Sequence, residues 1–179
     1  RDFMRVIKPL EKFGAKFESN FGKLPIKVHG TNYSKPIKFY ENKGSAQCKS
    51  AVMFAALNTQ GETIIKAKKS RDHSELLFKH LKLPIKVIKR KYYDIIKVKG
   101  KHKIPALNYK IPSDISSAAF FIVLTALVKN SSLKIRNVNI NPSRMGIFYI
   151  LKLMGVKITK INIRNYKGEK IADLLIKST

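Results

Sequence analysis

The sequence predicts an α/β (α+β) fold of repeated units, each holding two helices, mixed sheets and a buried helix. Three observations predict it. Segments with apolar residues at i, i+3 and i+4 alternate with short β-rich runs along the chain. The pattern recurs. "VIKPLEKFGAKFE", "LLFKHLKLPIKVI" and "IFYILKLMGVKIT" are each an amphipathic helix, a short break and a strand, and Phe13, Leu83 and Met154 align about 70 residues apart. Finally, "SAQCKSAVMFAAL" from Ser45 and "SSAAFFIVLTALV" from Ser116 repeat at a similar spacing. Both begin small and polar, then run apolar on nearly every face, which predicts helices buried inside the domain.

The elements follow in order, with edges good to a few residues. The amphipathic spacing predicts a helix over about 3–14, followed by strands over about 25–29 and 36–40. The apolar run after Ser45 predicts a helix over about 46–58, and "ETIIK" a strand over about 62–66. Asp72 with Glu75 has the spacing of a capping box and starts a helix over about 72–82. Strands over about 84–89 and 93–98 precede the second apolar helix, over about 115–128, with Asp114 at its start. "SLKIRNV" predicts a strand over about 132–138, and Asn141 as cap with Pro142 in the first turn opens a helix over about 144–154. Strands over about 157–163 and 172–177 close the chain. A domain boundary is expected near Asn141, dividing residues 1–140 from residues 141–179. The second part is one incomplete unit, too small to stand alone.

Composition narrows the function. With 44% hydrophobic residues the chain can bury a core. Its longest apolar run, Ala118 to Val128, is broken by Thr125 and is too short to span a membrane. The start, "RDFMRVIKPL", has no signal-peptide pattern and no Met, so a piece of a longer protein is expected. Cys48 is the single cysteine; it excludes an internal disulfide and suits a reducing cytosol. Four scattered histidines give no zinc spacing. The net charge of +26 suits nucleic acid, but only seven of the 37 basic residues are arginine and they lie unclustered. Lys, Ile and Asn rising together is what A+T-rich coding produces. A positive surface also attracts small anionic substrates.

Two stretches carry chemistry. In "KGSAQCKS", Gly44 lets a ligand approach the backbone, and Ser45 can cap the helix or donate its hydroxyl. The N–H groups of Ala46 and Gln47 point out of a helix N-terminus, where the dipole favours an anion. Gln47 adds a donor and an acceptor. A capped core helix explains the same residues. Lys49 either adds positive charge there or is simply exposed. In "KKSRDHSELL", Ser70 and Arg71 precede a helix start, and a guanidinium binds phosphate in a bidentate fork. Asp72, His73 and Glu75 read as structural. Asp114, Ser116 and Ser117 read as helix-start residues, with no second acid near in sequence. Arg5 reads as a solvated helix residue. Cys48 reads as a small buried side chain rather than a nucleophile.

"SAQCKSA", "SRDHSE" (Ser70–Glu75), "DISSAAFF" (Asp114–Phe121) and "NPSRMGI" (Asn141–Ile147) together resemble the EPSP synthase family, 3-phosphoshikimate 1-carboxyvinyltransferases, in its class II branch. "RDFMRVIKPLEKFGA" and "GEKIADLLIKS" extend the resemblance over nearly the whole chain. It implies two domains of βαβαββ units in an inside-out α/β barrel. This chain would hold the later part of the N-terminal domain and the first unit of the C-terminal domain. The resemblance implies transfer of the enolpyruvyl group of phosphoenolpyruvate to the 5-hydroxyl of shikimate 3-phosphate, in aromatic amino acid biosynthesis. No cofactor or metal is implied. It assigns Ser45, Ala46, Gln47, Ser70 and Arg71 to shikimate 3-phosphate, and Arg1 and Gln47 to phosphoenolpyruvate. The acid/base groups are expected in segments outside this chain, leaving no catalytic residue within it, so the piece alone is expected to be inactive. A cytoplasmic protein, monomeric when intact, with no nucleic-acid or membrane partner, is expected. The alternatives are the UDP-N-acetylglucosamine enolpyruvyl transferase, against which "SAQ" and "SRDH" argue, a non-enzymatic basic binder of nucleic acid, and one half of a split enzyme.

Overall fold

The computed structural model describes residues 2–178, so the expectation for Arg1 lies outside the described residues. The chain divides into two compact units, one ending at Pro105 and the other starting at Ala106. The break falls between the two copies of the repeat, away from the expected boundary at 140/141. The reason is the second core: Val138 and Ile140 are buried in one cluster with Met145, Phe148 and Leu151, so the residues on either side of Asn141 fold together.

Unit 1 holds α1 (Met4–Glu11), β1 (Lys16–Asn20), β2 (Lys23–His29), β3 (Lys38–Glu41), α2 (Ala46–Asn58), β4 (Glu62–Lys68), α3 (His73–His80), β5 (Ile85–Lys89) and β6 (Tyr93–Lys99). β3 to β6, with α2 and α3 between them, form one complete βαβαββ unit. Its sheet runs β3-β4-β6-β5, with β3 and β4 parallel and the other pairs antiparallel. Parallel pairing needs a crossover, and α2 is that crossover. Thr63, Ile65 and Ala67 of β4 all point inward, as the period of two requires. They meet Val52, Met53, Ala56 and Leu57 of α2, Phe78 of α3, and Ile96 and Val98 of β6. The expected bounds of α2 hold to the residue, since Ser45 caps it and the apolar run ends at Asn58.

β1 and β2 form a separate antiparallel hairpin; β1 begins in the strand that the first repeat segment predicts after its helix, where the element-by-element reading places none. Its residues are nearly all exposed, so no apolar alternation marks it. Its turn is Phe21-Gly22 with φ +49° and +72°, a primed turn in which Phe replaces the usual Asn or Asp.

Unit 2 holds α4 (Ile115–Leu127), β7 (Ser132–Asn139), a 3-10 turn (Pro142–Arg144), α5 (Gly146–Leu153), β8 (Lys157–Tyr166) and β9 (Glu169–Lys177). The sheet runs β7-β9-β8, the order of β4-β6-β5 in unit 1. The counterpart of β3 is reduced to one residue. Ser113 bridges Val138 in parallel, donating to the Asn137 carbonyl and accepting from the Asn139 N–H, each at 2.9 Å.

One expectation is corrected here. α4 is apolar all round but buries a single stripe: Ile115, Ala118, Ile122 and Thr125. Phe120 is 79% exposed and Leu127 77%, with Phe121 and Leu124 also in solvent. Unit 2 has only one sheet face to offer the helix, so one stripe is all it can cover. α2 comes closer to the expectation, though Phe54 remains 45% exposed.

Candidate functional site

The two stretches singled out in the sequence meet in unit 1. Gly44 has φ +69°, and a Cβ on it would lie 3.2 Å from the Lys69 carbonyl oxygen. The loop entering α2 therefore runs against the end of β4, and the conformation favours glycine. Ser45 is extended and caps α2: its Oγ accepts from the Cys48 N–H at 3.3 Å, and its carbonyl accepts from the Lys49 N–H at 3.1 Å. The N–H groups of Ala46 and Gln47 have no acceptor among the described residues. The exposed Gln47 amide takes a hydrogen bond on Oε1 from Arg5 Nη2 of α1 at 2.5 Å. Arg5 is thus half-buried against the mouth of α2, where a solvated residue was expected.

Across from this mouth, β4 delivers Ser70 and Arg71. The Ser70 hydroxyl oxygen is buried without a hydrogen-bond partner. Arg71 is exposed, and no carboxylate among the described residues pairs with its guanidinium. Lys69 turns away to Asp94 at 2.6 Å. A buried orphan hydroxyl, an unpaired guanidinium and free helix N–H groups share one chemical preference, an oxyanion.

Two expectations fail within this site. The capping box does not form: Asp72 is the N-cap of α3 but makes no side-chain cap bond, and Lys89 lies 3.7 Å from its carboxylate. Glu75 turns inward instead. Its Oε1 sits 2.6 Å from Lys49 Nζ, and both side chains are almost fully buried, so Lys49 is not exposed. The ammonium also donates to the Arg71 carbonyl at 2.7 Å. At the adjacent positions, Ser50 and Ser74 are joined through their hydroxyls at 2.6 Å. The starts of α2 and α3 are thereby clamped together. Cys48 is buried, as a small core residue should be.

Unit 2 handles the same positions differently. Asp114 caps α4 by accepting from the Ser116 N–H at 3.1 Å, and Arg144 beside α5 reaches both Asp114 (2.5 Å) and the Ser116 hydroxyl (2.6 Å). The guanidinium there is satisfied from within. Further along the sheet, the Asn137 N–H, the Asn162 amide, and the charges of Lys134 and Arg164 hold the Asp173 carboxyl below the usual carboxylate range, against its desolvation.

No group of three His, Cys, Asp or Glu among the described residues is placed to hold a metal ion, and no described helix is long and apolar enough to cross a membrane. The EPSP synthase (3-phosphoshikimate 1-carboxyvinyltransferase) family model matches residues 1–178. The 3-phosphoshikimate 1-carboxyvinyltransferase of Endomicrobium trichonymphae is 42% identical over 99% of this chain and 40% of its own length. That of Caldicellulosiruptor bescii is 41% identical over the whole chain and 42% of its length. The solved EPSP synthase of Acinetobacter baumannii superposes with a TM-score of 0.81 at 36% identity, over 99% of this chain and 40% of that one. The enolpyruvyl transferase NikO from Streptomyces tendae shares the fold, with a TM-score of 0.64 at 13% identity, over 98% of this chain and 42% of that one. The chain spans about two-fifths of the length of the relatives it matches, with both βαβαββ copies inside the match, and it belongs to the EPSP synthase family.

Proposed function

We propose that this chain supplies the shikimate 3-phosphate wall of an enzyme that transfers the enolpyruvyl group of phosphoenolpyruvate to the 5-hydroxyl of shikimate 3-phosphate, releasing phosphate. One observation carries the reading: the mouth of α2 and the Ser70–Arg71 strand end are adjacent, and the Arg71 guanidinium has no carboxylate partner among the described residues. In this reading the Ser45 hydroxyl, the Ala46 and Gln47 N–H groups, the Ser70 hydroxyl and Arg71 hold the shikimate phosphate and ring. Gln47 also reaches phosphoenolpyruvate. Both substrates are anionic, so the positive mouth offsets charge that would otherwise repel at close range. Units 1 and 2 belong, in this reading, to the two successive domains of the enzyme, with the join at Pro105/Ala106 rather than at 140/141. The intact enzyme is a cytoplasmic monomer without nucleic-acid partners. The 179-residue chain alone is inactive, and turnover in a phosphate-release assay with both substrates would refute that.

Titration of the 15N-labelled chain with shikimate 3-phosphate tests the site. Amide shifts at Ala46, Gln47 and Arg71, absent with UDP-N-acetylglucosamine, support it. Equal response to the nucleotide sugar, or steep salt-dependent binding to generic RNA alone, rejects it.

A further inference from the structure

We infer that Lys49, paired with Glu75, is a positioning residue that fixes the aim of the Arg71 guanidinium. The inference rests on the substrate site proposed above. Lys49 lies one turn into α2, and its side chain leans back towards the helix start, as helical side chains do. There the ammonium makes two contacts. One is the Glu75 carboxylate on α3; the other is the carbonyl of Arg71, at 2.7 Å. A donor on that carbonyl fixes the peptide plane leaving Arg71, and so fixes the direction of its Cα–Cβ bond. Arg71 itself is exposed and makes no ion pair among the described residues that could hold it.

The internal repeat shows that the fold does not need this pair. Lys49 is four residues past the N-cap Ser45, and Glu75 three past the N-cap Asp72. In unit 2 the residue four past the N-cap Asp114 is Ala118, and three past the N-cap Met145 is Phe148. Both are buried in an apolar core. The same two places are thus filled by apolar groups where Arg144 is held by Asp114, and by an ion pair where Arg71 has no such partner. Buried ion pairs can often be replaced by apolar groups of similar volume without loss of stability. Retaining one beside an otherwise unsupported arginine points to that arginine.

The test uses the 179-residue chain. Lys49→Met alone strands the Glu75 charge and endangers the fold, so the variant is Lys49→Met/Glu75→Leu, checked by thermal melting. Shikimate 3-phosphate affinity is measured by calorimetry or NMR titration in four proteins: the wild type, the double variant, Arg71→Ala, and all three changes together. The expected result is an affinity about tenfold weaker in the folded double variant, with no further loss when its changes are added to Arg71→Ala. Unchanged affinity in the double variant overturns the inference. So does an equal loss in the Arg71→Ala background, because the pair would then act on the fold and not through Arg71. Wild-type affinity that Arg71→Ala leaves unchanged overturns the site reading itself, and this inference with it.

Discussion

The two copies of the repeat share a topology but differ at the starts of their helices. In unit 2, Arg144 closes on Asp114 and Ser116, so the cap of α4 carries its own anion. In unit 1 the α2 mouth is capped by neutral Ser45, and Arg71 opposite it has no carboxylate partner among the described residues. The buried pair of unit 1, Lys49 and Glu75, lies beneath the mouth and not in it. The lesson is that helix N-termini of similar build stay open to an anion only where the chain withholds an internal acid.

The largest effect that probes this contrast is at the buried pair. Lys49→Met leaves the Glu75 carboxyl without its partner in the core, and stability should fall by about 3–5 kcal/mol in denaturant titration. A loss under about 1 kcal/mol would mean the pair is wetter than its burial indicates. Next is Arg71→Ala. The fold should be untouched, and shikimate 3-phosphate binding should weaken by about 1.5–3 kcal/mol, the worth of a charged hydrogen bond. Asp114→Ala reverses the comparison. It removes the cap of α4 at a cost of about 1 kcal/mol and frees Arg144, so unit 2 should acquire weak binding of inorganic phosphate, visible as new amide shifts at Ile115 and Ser116. No phosphate response there would show that an unpaired arginine at a helix mouth is insufficient.

The smallest effect is a pH dependence. The folded Asp173 has a depressed pKa, so it contributes stability at neutral pH that is lost as pH falls below the unfolded carboxylate range and through the folded value. Asp173→Asn should flatten the acid limb of a plot of melting temperature against pH. An unchanged limb would assign acid sensitivity to other carboxylates.

Much of this was legible from residue types. Ser45 as a cap and the apolar run to Asn58 fixed α2, and the spacing of the repeat foreshadowed two sheets of like order. What escaped depended on partners distant in sequence. Nothing in "QCKSA" says that Lys49 is buried, because its partner Glu75 sits on another helix and was read as closing a capping box. Arg5 was read as solvated because its acceptor, Gln47, comes from α2. β1 shows only through the repeat, because an exposed hairpin has no apolar face to announce it, and its turn is hidden because Phe21 seldom takes a positive φ. The outer face of α4 was misread because apolar composition reports what a helix would bury, not what its neighbours can cover.

That bare face sets how the isolated chain behaves in a tube. Phe120, Phe121, Leu124 and Leu127 would favour self-association, while a charge of +26 keeps copies apart. Repulsion of this kind reaches about 30 Å at 0.01 M salt but only about 8 Å at 0.15 M. The chain should therefore stay clear in dilute buffer and turn cloudy as sodium chloride is added, the reverse of ordinary salting-in.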